Sequence, residues 1–122
     1  NVVMQEISRV LVNIFTNAFY AVHQRFKAGE KNYSATVGVS TRLDGKDVVI
    51  KIRDNGTGMP EDVKKRIFDP FFTTKPSGEG TGLGLSLSYD TIVKAHQGTL
   101  NVFSEPGSFT EFVITLPIDG DY

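Results

Sequence analysis

ATVGVSTRLDGKDVVIKIRDNGTG, residues 35–58, is the stretch from which the architecture of this chain unfolds. Val37 and Val39 before its centre, and Val48, Ile50 and Ile52 after it, alternate with polar residues, the two-residue period of half-buried strands. Two strands are therefore expected, from Ala35 to Leu43 and from Asp47 to Arg53. Asp44-Gly45 between them is a hairpin signal, because both residue types tolerate a positive φ. A second hairpin is expected from Thr99 to Ser104 and Phe109 to Leu116 around Pro106-Gly107. Such strands present an apolar face that needs a cover. Val3, Ile7, Val10, Leu11, Ile14, Phe15, Ala18, Val22 and Phe26 supply one, recurring at three- and four-residue steps as the apolar face of a long helix. Pro60 opens a short helix ending near Ile67, and a second amphipathic helix runs from about Leu83 to His96 and stops at Gly98. The order αββααββ predicts an α+β two-layer sandwich, with helices on one face of a mixed, mainly antiparallel sheet. Residues 1–118 are expected to form one domain and 119–122 a frayed tail. The chain opens inside a helical pattern, at Asn1-Val2-Val3-Met4, as an N-terminally truncated piece of a longer protein would.

With 122 residues, 39% of them hydrophobic, a single globular core is expected. Thirteen Lys and Arg against fourteen Asp and Glu leave a net charge of −1. That balance carries no nucleic-acid footprint and no polybasic patch for direct membrane contact. The chain has no cysteine, which excludes a disulfide scaffold and any thiolate metal site and fits a reducing compartment. No apolar run approaches the roughly 20 residues of a membrane span. A soluble, intracellular domain is expected.

Four places hold candidate chemistry. Asn13 and Asn17 lie four apart on the long helix, beside its apolar stripe, where asparagine has only middling propensity. Their amide oxygens suit Mg²⁺, which takes one or two protein oxygens and completes its octahedron with water and phosphate; a partly buried pair bonded to a neighbouring element is the plainer alternative. Asp54-Asn55-Gly56-Thr57-Gly58 ends a strand. Its carboxylate can accept from an exocyclic amine such as that of adenine and rejects a base presenting a carbonyl there, while Gly56 and Gly58 let backbone approach a flat ring; an ordinary Asn-Gly turn is the alternative. Phe68, Phe71 and Phe72 read as core for at least two of the three or as a packing hinge, and Lys75 as a phosphate contact or a solvated lysine. The long Gly/Pro/Ser/Thr-rich segment between Asp69 and Gly82 has the length of a functional loop. Gly80-Thr81-Gly82-Leu83-Gly84 enters a helix, where freed backbone N–H groups can cradle an anion. It matches neither a Walker A loop nor the dinucleotide pattern, and a flexible linker is its alternative.

Together these residues resemble the ATP-binding catalytic domain of bacterial sensor histidine kinases, in the superfamily shared with gyrase-type and heat-shock-chaperone ATPases and MutL-type repair proteins. Residues 9–18 resemble the N box, 54–58 the first glycine box, 68–72 the F box and 80–85 the second glycine box, in order and over nearly the whole chain. The resemblance implies the Bergerat fold, ATP and Mg²⁺ as cofactors, and a lid between the last two motifs. It implies Asn17 as principal metal ligand with Asn13 as its helper. It also implies Asp54 as acceptor of the adenine amine, Gly56 and Gly58 as pocket lining, and Thr110 beside adenine. Gly82, Leu83 and Gly84, with Thr81 in the same loop, would hold phosphates, and the basic contact that Tyr20 replaces is either absent or supplied by Lys75. Phe109 stands where a small residue is usual, and Gln97 interrupts a more frequent His-Gly-Gly ending.

The implied activity is transfer of the ATP γ-phosphate to a histidine on a separate dimerisation domain of the same protein, which passes it to a response regulator. His23 and His96 are each followed by glutamine rather than an acidic residue, so both read as surface or helix-end histidines and not as phosphoacceptors. The domain is expected in the cytoplasm, with an inner-membrane anchor of the parent protein left open. Two alternatives stand beside this one. An ATP hydrolase of the same superfamily needs a glutamate where Asn13 stands, and an amide is no general base at neutral pH; a nucleotide-binding interaction module needs no chemistry at all.

Overall fold

A computed structural model describes residues 2–69 and 84–117. The long helix α1 (Val2–Lys27) is followed by strands β1 (Val37–Asp44) and β2 (Asp47–Asp54) and the short helix α2 (Glu61–Arg66). Helix α3 (Gly84–Tyr89) passes into a π-helical segment (Asp90–Ala95), and β3 (Thr99–Glu105) and β4 (Phe109–Pro117) close the order. The strands form one sheet in the order β1-β2-β4-β3, with every described pairing antiparallel. This is the two-layer arrangement expected. No described helix is long and apolar enough to cross a membrane.

One row of β2, β3 and β4 faces the helices, whereas the edge strand β1, expected to be half-buried, packs only Val37 against the core and leaves Val39 exposed. Ile52 of β2, Leu100 of β3, and Phe112 and Ile114 of β4 are buried against Val10 and Ile14 of α1, Leu85 of α3 and Ile92 of the π segment. Each such side chain removed from water stabilises the fold by roughly 1.5–3 kcal/mol. Phe68 packs on this core, its ring centroid 5.1 Å from Tyr89 and 6.4 Å from Phe112; Phe71 and Phe72 lie outside the described residues.

Three further details differ from the sequence pattern. Phe26, assigned to the apolar face of α1, is 63% exposed. A straight helix carries its stripe past the core it covers, and an apolar residue at the end continues the period without a partner. The first hairpin turns on Gly45 and Lys46 rather than Asp44-Gly45, since Asp44 still pairs with Asp47. Gly45 takes φ +64°, the conformation only glycine adopts at no steric cost. The second amphipathic helix widens into a π-helical segment across Thr91-Ile92-Val93, three β-branched residues in succession, which are crowded in a regular α turn. Its end is closed by Gly98 N–H donating to Ile92 O at 2.8 Å. Gln97 is held there at φ +56°, the left-handed region that favours glycine.

Candidate functional site

Strand pairing brings Asp54 and Thr110 together. They are register partners at the ends of β2 and β4, and both are buried, at 3% and 5% exposure. Asp54 Oδ1 accepts from Gly56 N–H at 2.8 Å, a turn in which the side chain substitutes for backbone. Burial pushes the carboxyl up to about 6, against the opposing pull of that hydrogen bond. Among the described residues no other donor reaches it, so Oδ2 keeps its capacity to accept. Next in the row, Ser104 Oγ donates to Phe109 O at 2.8 Å and accepts from Met59 N–H at 2.8 Å. Thr110 Oγ1 lies 2.9 Å from it. With the single Ser104 proton spent on Phe109, the Thr110 hydroxyl is the donor of that contact, which leaves Thr110 its lone pairs as acceptors.

Gly56 and Gly58 are required by the protein itself. A Cβ on Gly56 would stand 2.6 Å from Ala21, and one on Gly58, at φ +67°, 2.1 Å from Glu105 O. Their close backbone approach is thus to α1 and to the end of β3. Gly107 N–H donates to Thr57 O at 2.7 Å and ties the same loop to the second hairpin.

The other group is built on the middle of α1. Asn13 Nδ2 donates to Gly84 O and to Ser88 Oγ, each at 3.3 Å, and Asn17 Nδ2 donates to Asn13 O at 2.8 Å. Asn13 thus spends both amide hydrogens inside the protein and Asn17 one of its two. The two Oδ1 oxygens, hard neutral donors without a protein hydrogen-bond partner among the described residues, are what a cation would meet. This donor chemistry fits Mg²⁺, which needs only one or two such oxygens when phosphate supplies others. Asn13, Asn17 and Ala21 form one ridge of α1 at four-residue spacing. Asn13 touches Gly84 at one end, and Ala21 touches Gly56 at the other. A rise of 1.5 Å per residue makes the ridge about 12 Å long. Lys75, Thr81, Gly82 and Leu83 lie outside the described residues.

His96 ends the π segment as a helix-end histidine, but its side chain is largely covered and its Nε2 lies 2.6 Å from Glu6 Oε2. Glu6, two turns before Asn13 on α1, is thereby occupied. Phe109 lies beneath the Arg53 guanidinium, 4.0 Å from it.

The sequence pattern misses Arg25. Its guanidinium, near the end of α1, bonds the carbonyls of Asn55, Gly56 and Ser108 and forks onto Glu30. The available signal is a basic residue in the last turn of a helix. That signal points to the helix's own carbonyls, not to loops 30 and 83 residues away.

The model of the family described as histidine kinase-, DNA gyrase B- and HSP90-like ATPase matches residues 3–120 of this chain. The signal transduction histidine-protein kinase AtoS of Escherichia coli strain K12 is 42% identical over 113 residues, which are 93% of this chain and 17% of that protein. Sporulation kinase E of Bacillus subtilis strain 168 is 41% identical over 113 residues, 93% of this chain and 14% of that protein. The chain thus spans about a sixth of the length of these curated relatives. Among solved structures, the nucleotide-free catalytic domain of histidine kinase ThkA superposes with a TM-score of 0.74 at 27% identity, over 93% of this chain and 67% of that one.

Proposed function

Because this chain belongs to the histidine kinase-, DNA gyrase B- and HSP90-like ATPase family, we propose that it binds Mg-ATP and donates the γ-phosphate to a histidine on a separate dimerisation domain. Its role is then that of the cytoplasmic catalytic part of a two-component sensor kinase, whose phosphoryl group passes on to a response regulator. Residues 1–118 form the ATP-binding unit and 119–122 a tail. One observation carries the reading: a buried carboxylate with an accepting oxygen is tied, through Gly56, to the Ala21 end of the α1 ridge that Asn13 and Asn17, anchored by their amide nitrogens, continue.

Asp54 accepts the adenine 6-amino group, with Thr110 at its side; guanine would set an oxygen against the carboxylate and strand two acceptors. Gly56 and Gly58 shape this end by drawing the loop onto α1 and β3. Asn17, helped by Asn13, holds Mg²⁺ through its amide oxygen, and the metal offsets phosphate charge when bound. Gly84 flanks the phosphates on the side of Asn13, continuing a cradle with Thr81, Gly82 and Leu83, and Lys75 adds a cation. Phosphoryl transfer asks the protein mainly for positioning and electrostatic stabilisation. These residues are accordingly ligand-holding, and the attacking nucleophile comes from the partner domain. Transfer is favoured over hydrolysis by the ridge itself: Asn13 is an amide, and Glu6, the carboxylate further back on α1, is held by His96.

The test is incubation of this chain with labelled ATP, Mg²⁺ and a purified dimerisation domain bearing the acceptor histidine. Label on the acceptor, with neither self-labelling nor steady phosphate release by this chain alone, is expected. Steady release without the acceptor would establish the hydrolase instead.

A further inference from the structure

Arg25 is connected as no basic residue at an ordinary helix end needs to be. Nε and Nη2 donate to the two carboxylate oxygens of Glu30 at 2.5 and 2.9 Å. Nη1 donates to Asn55 O at 2.9 Å and to Gly56 O and Ser108 O at 3.3 Å. The guanidinium plane lies over Tyr33, 4.6 Å from the ring centroid. The Tyr33 hydroxyl in turn donates to Asn55 Oδ1 at 3.0 Å, and Asn55 Nδ2 donates to Ser34 O at 2.8 Å.

The three carbonyls share one property. Asn55 and Gly56 directly follow Asp54, and Ser108 precedes the Phe109-Thr110 pair, so all three flank the two buried polar residues that face each other across β2 and β4. The peptide joining Asn55 to Gly56 is the pivot: its N–H, on Gly56, holds Asp54 Oδ1 while its carbonyl, Asn55 O, is held by Arg25 at 2.9 Å. Turning that peptide withdraws the hydrogen bond that sets the carboxylate's orientation. A planar fork fixed by Glu30 on one edge and Tyr33 on its face presents its remaining edge in a single direction.

We infer that Arg25 is a positioning residue for base recognition, aligning the Asp54 carboxylate through the peptide units of Asn55 and Gly56. This rests on the reading of Asp54 as the adenine acceptor. A helix-capping role would use carbonyls of α1 itself, and a surface ion pair would stop at Glu30. Neither gathers three carbonyls from two loops around one site.

The experiment measures Mg-ATP and Mg-GTP affinities by calorimetry for the 122-residue chain and for Arg25→Ala, Arg25→Lys, Glu30→Gln, Asp54→Asn and the Arg25→Ala/Asp54→Asn double variant, with a thermal melt of each. Arg25→Ala is expected to lower the ATP-over-GTP ratio about tenfold, and Arg25→Lys, a point charge without the fork, to recover part of it. In the Asp54→Asn background, Arg25→Ala is expected to leave the ratio within twofold, since the residue acts through Asp54. A folded Arg25→Ala with the full ratio, or an undiminished effect in the double variant, overturns the inference. Should Arg25→Ala not fold, Arg25→Lys and Glu30→Gln carry the decision: a ratio lowered twofold or more supports it, and an unchanged ratio overturns it. A wild-type chain that binds both nucleotides alike defeats the reading of Asp54 before any variant is compared.

Discussion

The two ends of the α1 ridge are built on different principles. Around Asp54 the protein supplies its own hydrogen-bond partners: Gly56 N–H to the carboxylate, Thr110 hydroxyl to Ser104, and Arg25 to the flanking carbonyls. Backbone presses so close to Gly56 and Gly58 that no other residue fits. At Asn13 and Asn17 the protein anchors only the amide nitrogens, at 2.8 to 3.3 Å, and leaves the oxygens for something else. One end satisfies its polar groups within the protein, whereas the other, under the proposed function, is completed by the ligand. Under the proposed function, base selection belongs to the ends of the two central strands, and metal and phosphate binding to groups whose final geometry the nucleotide helps to set.

Perturbing the Asp54 end costs most. Gly58→Ala forces a Cβ onto Glu105 O at positive φ, and we expect a loss of about 2–4 kcal/mol in a urea unfolding curve. Asp54→Asn separates function from stability. Mg-ATP affinity is expected to fall by about 1–3 kcal/mol in a calorimetric titration, while the melting temperature of the free chain does not fall, because the buried carboxylate is itself a burden on the fold. At the open end, Asn17→Ala is expected to reduce the magnesium-dependent part of ATP affinity by about 1–2 kcal/mol, with the ATP-over-GTP preference intact. If it altered base preference instead, the division between the two ends would fail.

Acidity gives a fourth way to probe the contrast. The folded pKa of Asp54, about 6, lies above the ordinary 3.8. Protonation therefore favours the fold: this contribution is complete below about pH 4 and is lost as pH rises through 6. Binding runs the other way, because the ionised carboxylate is the stronger acceptor for an amine. The thermal shift produced by Mg-ATP is expected to grow as pH climbs from 5 to 7, with a midpoint near 6, and to lose that step in Asp54→Asn. The smallest effect lies away from both ends. Gln97 at φ +56° should make Gln97→Gly more stable by about 0.5–1 kcal/mol by chemical denaturation, without change in nucleotide affinity.

The elements that sequence makes legible are those with long or strongly marked periods. Helix α1 repeats its apolar residues over seven turns, and Asp54 stands where an alternating strand meets Asn-Gly. Asn13 and Asn17 are visible because polar amides beside an apolar stripe require a reason. What stays hidden depends on backbone. Arg25 finds carbonyls, which every residue carries, so no side-chain pattern marks Asn55, Gly56 or Ser108 as its partners. The π segment spans six residues, too few for its wider turn to alter the apolar spacing. Gly56 and Gly58 invite an explanation by ligand approach, while the atoms they meet, on Ala21 and Glu105, are distant in sequence and brought near only by the fold.

The claim that both ends serve one ATP molecule is tested most directly by following the backbone amides of this chain by nuclear magnetic resonance during an Mg-ATP titration. Signals of Gly56 and Thr110 at one end, and of Asn13, Asn17 and Gly84 at the other, should move together with a single saturation midpoint, and AMP should move only the first group. Separate midpoints for the two groups, or movement of one group alone under Mg-ATP, would contradict it.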